Sequence, residues 1–562
     1  AMDRGLPGLL PLVGPWQLYG IEKNPYAFEL AQMTVWIGYL QWLRQHGTTT
    51  WKEPVLQAMS NIEHKDAILD LIDPENPKEP TWPAVDFIVS NPPFLGSQLM
   101  RSELGSAYVE SLRELYGDRL PGQADLCCYW FEKARSSIEG QGTQRAGLLA
   151  TQGIRGGGNR RVLERIKESG QIFWAWSDRD WILDGANVHV SMVGFDAGAE
   201  ETKSLDGHVV ETINSDLTSG VAATRAVRLA ANRGLAFQGP VKVGAFDIED
   251  GMALEMLETP NPNGRPSSDV IVPWVNGLDI TRRARCFWLL DFGERVEGDA
   301  AKYELPFQYV AKTIRPERVQ NADRQRRELW WRLGRSGGEW KIASGNLKRA
   351  LFTARVAKHR LFVWSQLPTM PDTQVVAVAV EAEASFGILH SRVHEVWSLA
   401  QGTQLEDRPR YTPTTCFETF PFPSMKASDE VAIGAVAKEL DELRKAWLNP
   451  PEWTREEVLE FPGSVDGPWK RFVHAPDAKG IGTVRWPRIV AKDAECAAKL
   501  VKRTLTNLYN ERPTWLDNAH RKLDEAVFAV YGWPPDLTGE QILERLLALN
   551  LERAAAEEKS RG

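Results

Sequence analysis

The chain lacks the long hydrophobic runs that a membrane protein needs. None of its 562 residues fall in a stretch close to the roughly 20 apolar residues that cross a bilayer. No signal peptide is recognisable at its start. The sequence therefore predicts a cytoplasmic protein without a membrane partner, and the length predicts two or three domains.

Cysteine is scarce, and several catalytic signatures are missing. The five cysteines form no Cys-x-x-Cys pair and have no histidine at metal-ligand spacing; they are Cys127, Cys128, Cys286, Cys416 and Cys496. We expect buried, reduced thiols and no metal site. No Pro-Asp…Glu-x-Lys nuclease signature and no hydrolytic triad stand out, and there is no internal repeat or low-complexity tract.

Positive charge is in the minority overall but is concentrated in one segment. The net charge is −8, which argues mildly against a nucleic-acid binder. Residues 311–360 nevertheless contain 14 Lys and Arg against 4 Asp and Glu, with Trp330, Trp331 and Trp340 among them. This segment predicts a phosphate-binding surface. The alternative is a solvated helix face that acidic neighbours balance.

The most informative motif is Asn91-Pro92-Pro93-Phe94, which follows the apolar run 85–89. The side-chain oxygen of Asn91 and the carbonyl of Pro92 are two acceptors that suit the hydrogens of a weakly nucleophilic exocyclic amine. The prolines fix φ and keep that carbonyl out of a strand ladder, and Phe94 offers a face for a base turned out of a duplex. The alternative is an ordinary strand-to-loop exit.

Two acidic residues follow other strand-like segments. Glu22 comes directly after Leu18-Tyr19-Gly20-Ile21, and a helical pattern opens at Asn24-Pro25. A carboxylate beyond a parallel strand can accept the hydroxyls of a ribose, which makes Glu22 a candidate for a nucleoside cofactor. Asp66 lies where the next strand end should approach the adenine of that cofactor. Either residue could instead be a helix cap.

The order of these motifs resembles the gamma-type amino-methyltransferases of DNA. It resembles more closely the adenine-N6 enzymes with a carboxy-terminal target-recognition domain, as in the MmeI-like restriction-modification proteins. The resemblance rests on residues 19–26 (YGIEKNPY), 86–96, which include the Asn-Pro-Pro-Phe motif, 124–126, 129–132, 147–151, 391–394 (SRVH) and 414–421 (TTCFETFP). It therefore covers most of the chain.

The resemblance implies an α/β fold class. It implies a Rossmann-like class I S-adenosylmethionine-dependent sheet, incomplete at its N-terminus, with a connector over residues 1–240. An α+β target-recognition domain over 241–425 and a helical C-terminal region over 426–562 are expected to follow. The family pairs Asn in the motif with adenine, and Ser or Asp with cytosine. The expected reaction is methyl transfer from S-adenosyl-L-methionine to N6 of a flipped adenine in double-stranded DNA, within a restriction-modification or phage-defence system.

The same resemblance assigns roles to individual residues. The catalytic residues are expected to be Asn91, Pro92, Pro93 and Phe94, and the cofactor-binding residues Glu22, Asp66 and Asn91. The expected DNA contacts, to phosphate or to guanine edges, are Arg326, Arg327, Arg355, Lys358, His359 and Arg360. Asp125 and Tyr129 are expected either beside the flipped base or, alternatively, in a helix start that Asp125 caps.

One departure from the family pattern changes the expectation for activity. These enzymes carry a Phe-x-Gly-x-Gly loop one strand before Glu22, and Gly5, Gly8 and Gly14 do not form it. The cluster 155–159 (RGGGN) follows a later strand and reads as an ordinary loop. We therefore expect a truncated chain, with a missing segment or a partner that supplies the cofactor loop.

Other functions stay open on the sequence alone. The chain could be a DNA-recognition module whose methyltransferase-like half is catalytically silent, which the missing loop favours and the intact Asn-Pro-Pro-Phe motif opposes. A fused endonuclease would require a region outside this sequence. Methylation of RNA or protein is a further alternative, since Asn-Pro-Pro loops also serve such substrates, and the basic segment favours DNA.

Overall fold

The computed structural model describes residues 13–45, 60–73, 76–183, 186–221, 223–405 and 408–560. The chain divides into two compact units, Ala1–Ala222 and Ala223–Gly562. The sequence placed the first boundary at residue 240. Strand Ala236–Gln238 pairs with strand Val375–Val378, so the end of the expected connector belongs to the second unit.

The first unit is an α/β structure with two sheets. Its strands are β1 (Gly20–Glu22), β2 (Ile62–His64), β3 (Phe87–Ser90), β4 (Arg145–Thr151), β5 (Gln171–Leu183), β6 (Ala186–Asp196), β7 (Lys203–Leu205) and β8 (His208–Val210). Its helices are α1 (Pro25–Gln45), α2 (Met100–Leu104), α3 (Ser106–Tyr116), α4 (Cys127–Glu139) and α5 (Arg160–Ser169). β1 and β2 form a parallel pair, and the larger sheet has the order β3-β4-β6-β5-β7-β8.

Strand β4 organises the larger sheet. It runs parallel to β3 and antiparallel to β6, and every second residue, Ala146, Leu148 and Ala150, is buried. This period of two is the pattern of a strand whose faces differ, and the sequence prediction of a buried strand over 145–151 is confirmed. Because β3 and β4 are parallel, the loops after them leave the same edge of the sheet.

An ion-pair cluster joins the two helices that follow these loops. Glu132 of α4 is fully buried and accepts from the guanidinium groups of Arg135 and Arg165 at 2.9–3.2 Å. Arg165 lies on α5. A buried carboxylate needs such partners, because desolvation of an unpaired charge costs several kcal/mol. Glu132 therefore ties α4 to α5.

In the described part of this unit, the edges at β1 and β3 and one face of α1 are uncovered. Within the described part of the chain, β1 pairs only with β2 and β3 only with β4. Phe87 and Val89 of β3 point to the same side and are 62% and 86% exposed. Helix α1 also exposes an apolar stripe at the helical spacing of four, three and four residues, formed by Tyr26, Leu30, Met33 and Ile37.

The second unit is a mixture of short strands and helices. Its strands are β9 (Ala236–Gln238), β10 (Asp247–Ile248), β11 (Ile271–Val275), β12 (Phe287–Leu290), β13 (Arg349–Ala354), β14 (Phe362–Gln366), β15 (Met370–Pro371), β16 (Val375–Val378), β17 (Thr403–Leu405), β18 (Arg408–Arg410), β19 (Thr454–Ser464), β20 (Val473–His474) and β21 (Ile481–Ala491). The strand orders are β10-β12-β11-β15, β14-β13-β16-β9, β17-β18 and β19-β21-β20.

Its helices fall before, between and after these strands. They are α6 (Asp250–Glu258), α7 (Gly277–Thr281), α8 (Glu297–Ala300), α9 (Glu304–Thr313), α10 (Arg315–Arg318), α11 (Arg324–Glu328), α12 (Gly338–Ser344), α13 (Glu383–His390), α14 (Arg392–Gln401), α15 (Ala427–Leu448), α16 (Ala494–Leu500), α17 (Leu505–Glu511), α18 (Thr514–Tyr531) and α19 (Gly539–Lys559). A π-helical turn spans Pro413–Phe417.

The prediction of a helical region after residue 425 is wrong in its middle. β19, β20 and β21 form an antiparallel sheet there. Phe461 of β19 and Trp469 pack in the same apolar core as Trp288 of β12. The glutamates of β19 are exposed or half-buried, and Glu is a common helix former. Local propensity therefore gives way to packing here.

Helices α13, α15 and α18 pack closely together at Gly387. A Cβ at that position would lie 2.8 Å from a methyl group of Ile433 and 3.0 Å from atoms of Ala437 and Leu523. The glycine therefore permits the close helix crossing. The predicted helix face at Ile433, Val436, Leu440, Leu443 and Trp447 is only partly confirmed, because the buried side is formed by Ile433, Ala437, Leu440, Asp441 and Arg444.

Three further properties bear on the sequence predictions. None of the described helices is long and apolar enough to span a membrane. Four cysteines are buried thiols, but Cys286 is exposed, which corrects the expectation for that residue. The described ranges hold no cluster of three or more His, Cys, Asp or Glu side chains that could bind a metal ion.

Candidate functional site

The Asn-Pro-Pro-Phe motif forms the loop directly after β3. Asn91 and Pro93 are exposed, Pro92 is buried and Phe94 is half-buried. The carbonyl of Pro93 accepts a hydrogen bond from Leu95 N at 3.2 Å. Within the described part of the chain, neither the Asn91 side chain nor the Pro92 carbonyl has a hydrogen-bond partner. Two acceptors that are next to each other in the sequence are thus available to a ligand.

Asp125 holds this loop to the loop that follows β4. Its Oδ1 accepts from Ser97 N at 2.8 Å, and its Oδ2 accepts from Asn159 Nδ2 at 2.6 Å. Asp125 N in turn donates to Asn159 Oδ1 at 2.8 Å. Five groups of the Asp125–Asn159 pair are therefore occupied, so the pair fixes the position of the Asn-Pro-Pro-Phe loop. The sequence did not single out Asn159 for this role.

The second residue that was expected near a flipped base lies in the core. Tyr129 is buried, and its ring packs edge-on against Tyr116 at 5.1 Å between centroids. Burial raises the pKa of Tyr129 to about 12. The ring therefore stabilises α3 against α4 and does not line an open pocket.

Glu22 lies at the end of β1, and one of its carboxylate oxygens has no partner among the described residues. Its Oε1 accepts from Asn24 N at 2.7 Å, which forms a tight turn into α1. The side chain of Asn24 then accepts from Tyr26 N and Ala27 N at 2.9 and 3.1 Å, as a helix N-cap does. The second oxygen of Glu22 stays available at the carboxyl end of a parallel strand.

Asp66 lies just beyond the neighbouring strand, but its carboxylate is fully engaged. Oδ1 accepts from the backbone N–H groups of Ile68 and Leu69 at 3.0 and 3.2 Å. Oδ2 accepts from Lys23 Nζ at 2.8 Å and from the Tyr108 hydroxyl at 2.9 Å. Burial alone would raise the pKa of Asp66, but these hydrogen bonds, Lys23 foremost, lower it below its usual range.

The partners of Asp66 were not expected from the sequence. Tyr108 lies 42 residues away on α3, and burial together with the Asp66 charge raises its pKa well above the usual range. Lys23 Nζ also lies 4.6 Å from the centre of the Tyr108 ring. These contacts connect the ends of β1 and β2 with the helix that follows the Asn-Pro-Pro-Phe loop. In the described residues, no hydrogen bond or ion pair joins Asn91 to Glu22 or Asp66.

The basic segment 311–360 is partly neutralised inside the second unit. Trp330, Trp331 and Trp340 are buried in its core, so they offer no aromatic surface there. Five of the 14 cations of the segment pair with acidic residues: Arg324 with Glu328, Arg326 with Asp323, Arg332 with Glu294, Lys341 with Asp291 and Arg349 with Glu383. The alternative of a charge that acidic neighbours balance therefore describes only part of the segment.

The six expected DNA contacts do not form one surface. Arg360 is 8% exposed and donates to Thr353 Oγ1, Ala354 O and Pro409 O, so its position excludes it from a DNA contact. Lys358 and His359 both bond to the side-chain oxygen of Asn510, at 2.8 and 2.9 Å.

The other three expected DNA contacts differ in the number of partners that their side chains have. Arg327 is exposed but donates to the carbonyls of Asn321 and Ala322, while Arg326 pairs with Asp323 at 3.5 Å. The side chain of Arg355, by contrast, has no hydrogen-bond or ion-pair partner among the described residues, and its Nε is buried.

A cavity of about 380 Å³ also lies in the second unit. Five of the eight charged side chains on its wall pair with each other, Arg265 with Asp269 and Asp466, and Lys341 with Asp291.

Two family models match the chain. The model described as MmeI, DNA-methyltransferase domain, matches residues 13–206, which cover most of the first unit. The model described as MmeI, target recognition domain, matches residues 362–424 of the second unit. No curated protein sequence matches.

One solved structure has a similar fold. The structure of the Type IIL restriction-modification enzyme MmeI in complex with DNA matches with a TM-score of 0.71 at 18% identity, over 97% of this chain and 67% of that chain. The type IIG restriction endonuclease BpuSI matches with a TM-score of only 0.29 at 12% identity, over 96% and 60%, too low to support a conclusion.

These matches define the class of protein. A DNA-methyltransferase domain in the first unit and a target-recognition domain in the second are the parts of a restriction-modification DNA methyltransferase. The chain belongs to the MmeI-like restriction-modification family.

Proposed function

We propose that the chain is the catalytic and recognition part of a site-specific DNA methyltransferase that transfers a methyl group from S-adenosyl-L-methionine to the N6 amino group of adenine. The observation that carries this proposal is the state of the Asn-Pro-Pro-Phe loop. The side chain of Asn91 and the carbonyl of Pro92 are both without a partner among the described residues, at the carboxyl end of a parallel strand.

In the proposed mechanism the loop positions the target amine. Asn91 Oδ1 and the Pro92 carbonyl each accept one hydrogen of the amino group, and Phe94 stacks on the flipped base. These contacts aim the nitrogen lone pair at the methyl donor. The rate then comes mainly from orientation and removal of water rather than from a strong base. The Asp125–Asn159 pair supports this by holding the loop through Ser97 N.

The chain's own residues fit part of a cofactor site. The free oxygen of Glu22 suits a ribose hydroxyl, and Asn91 lies at the end of another parallel strand. Asp66 would have to exchange Lys23 or Tyr108 for the cofactor, so we propose that it positions Lys23 rather than binding adenine. S-adenosyl-L-methionine, when bound, supplies an electrophilic methyl group.

We further propose that an additional strand and its loop complete the cofactor site. This is supported by the edges of β1 and β3, which have no further strand partner among the described residues, and by the exposed Phe87 and Val89. The strand and its loop would come from another segment of the protein or from a partner chain, and they would pair through the free backbone groups that each edge presents.

The same open edges favour a second candidate function. A DNA-recognition module with a silent methyltransferase-like half would bind DNA without binding the cofactor. The intact pair of free acceptors at Asn91 and Pro92 argues against it, because a silent copy has no use for them. The two candidates differ in cofactor binding, which can be measured directly.

A calorimetric titration with S-adenosyl-L-methionine, followed by a transfer assay, tests the proposal. Saturable binding is expected when the additional strand and its loop are present, and it should be lost in Glu22→Ala. Plasmid DNA from a methylation-deficient host then serves as substrate, and N6-methyldeoxyadenosine is measured by mass spectrometry. Asn91→Ala should lower transfer by about 100-fold or more with DNA affinity unchanged. Asn76→Ala is the matched control, because this exposed side chain bonds to Asp73 alone among the described residues.

Each possible result supports or refutes one part of the proposed function. Transfer in Asn91→Ala close to that of the parent would remove the loop from catalysis. DNA binding without cofactor binding by a folded protein that includes the additional strand and its loop would support the recognition module. Methylation at cytosine would refute the adenine assignment while leaving the fold assignment intact.

A further inference from the structure

The cavity of about 380 Å³ in the second unit has the size of a small-molecule site. Such sites measure about 300–1,000 Å³ and combine apolar walls with a few polar groups. Part of the wall is apolar and buried: Val272 comes from β11, Leu367 from the loop before β15 and Met370 from β15. Helix α12 and the segment 466–472 also line the cavity. We call Val272, Leu367 and Met370 the apolar floor.

The charged residues of the wall have a positive excess. Five of the eight are Lys or Arg and three are Asp, which gives a net charge of +2. Three of the cations, Arg295, Lys470 and Arg471, have no acidic partner among the described residues, and we call them the cavity cations. Arg295 donates to Phe292 O at 3.1 Å and Arg471 donates to Leu347 O. The side chain of Lys470 has no hydrogen-bond partner in the described part of the chain.

Two of the three carboxylates of the wall are less exposed than the cations that they pair with. The side chain of Asp269 is 1% exposed, and that of its partner Arg265 is 34% exposed. The side chain of Asp291 is 10% exposed, and that of its partner Lys341 is 33% exposed. The third carboxylate, Asp466, is mainly exposed and also pairs with Arg265. A molecule that enters the cavity therefore meets more positive than negative charge.

We propose that this cavity binds a small organic phosphate of mononucleotide size, with its phosphate at the cavity cations and its apolar part on the apolar floor. A phosphate monoester carries a charge of about −1.5 to −2 at pH 7 and three acceptor oxygens. It therefore suits two guanidinium groups and one ammonium group, whereas one arginine can bind both oxygens of a carboxylate.

This inference goes beyond the proposed function, because its ligand is neither the methyl donor nor duplex DNA. Duplex DNA is bound by a basic patch or stripe on one face of a protein. A cavity of this volume instead surrounds one small molecule.

Isothermal titration calorimetry of the full chain with thymidine 5′-monophosphate tests the inference. The probe lacks the adenine that the proposed cofactor site would accept. Saturable binding of one molecule per chain is expected, and Lys470→Ala and Arg471→Ala should each weaken it about ten-fold, because each removes a charged donor. Lys479→Ala is the matched control, since this lysine is exposed and lies outside the cavity, and its affinity should equal that of the parent.

Thermal unfolding separates binding from a structural role. The probe should raise the unfolding temperature of the parent and of Lys479→Ala, and it should raise that of Lys470→Ala less. Without the probe, Lys470→Ala should unfold at the temperature of the parent, because the exposed Lys470 side chain has no partner to lose. Lys470→Ala therefore tests the site even if Arg471→Ala does not fold.

Five results would overturn the inference. They are no binding of the probe by the folded parent, parental affinity in Lys470→Ala, equal affinity for uncharged thymidine, equal affinity for inorganic phosphate, and binding that is lost in Glu22→Ala. Equal affinity for inorganic phosphate would leave a simple anion site, and loss in Glu22→Ala would place the probe in the first unit. A short duplex that displaces the probe and binds Lys470→Ala more weakly would assign the cavity to DNA and overturn the inference as well.

Discussion

Replacement of Glu132 by Gln should strongly destabilise the first unit. The carboxylate is fully buried and accepts four hydrogen bonds, two from Arg135 and two from Arg165, at 2.9–3.2 Å. The amide removes the charge and turns one acceptor into a donor that faces a guanidinium group. Loss of one partner from a buried ion pair costs about 3–5 kcal/mol. For a unit of this size, that loss should lower the unfolding temperature by roughly 6–20 °C.

A neighbouring residue provides the matched control. Glu139 pairs with the same Arg135 at 2.9 Å, but its side chain is 57% exposed, so Glu139→Gln should cost less than about 1 kcal/mol. Scanning calorimetry and urea unfolding of both variants give the two free energies of unfolding. A loss below about 1 kcal/mol in Glu132→Gln, or equal losses in the two variants, would refute the claim that this buried carboxylate ties α4 to α5.

The remaining predictions concern the second unit. Burial, with Arg444 nearby, lowers the pKa of His520 to about 3. The stability that the neutral imidazole contributes is therefore present above pH 6.5 and is lost on acidification. His520→Gln should flatten the dependence of the unfolding free energy on pH by about 1.4 kcal/mol per pH unit between pH 4 and 6. Burial raises the pKa of Asp524 to about 6, so the folded state holds the extra proton in that window and Asp524→Asn should steepen the same dependence. Urea titrations at several pH values give the slope of the unfolding free energy against pH, and unchanged slopes in the two variants would contradict both predictions. Gly387→Ala should lose about 1–3 kcal/mol of stability by overpacking. Gly434→Ala, whose new Cβ meets an ordinary 3.4 Å contact, should gain up to about 1 kcal/mol from helix propensity. Equal midpoints of chemical denaturation in the two variants would refute the close helix packing at Gly387.

Features that depend on neighbours in sequence were predictable. The strand over 145–151, the hairpin strand near 187–195 and the loop after β3 follow from alternation, turn residues and proline chemistry. Glu22 could also be placed at a strand end, because a short apolar run leads directly to it.

Features that depend on distant partners were not predictable. The sequence suggested Asp66 as a cofactor ligand, but its carboxylate accepts a hydrogen bond from a tyrosine 42 residues away. The basic segment counted as strongly positive, but Glu294 and Glu383 neutralise Arg332 and Arg349 from outside it. Charge balance is a property of the fold, and a linear count cannot give it.

The open edges of β1 and β3 also determine how this chain behaves at high concentration. An unpaired strand with apolar, exposed side chains is a template for pairing with another copy of the chain. The apolar stripe on α1 is a second exposed hydrophobic surface that favours association. The isolated chain should therefore self-associate as its concentration rises. Charged substitutions at Phe87 and Val89 would improve its solubility, whereas a bound complementary strand would protect the same surface without any change in sequence.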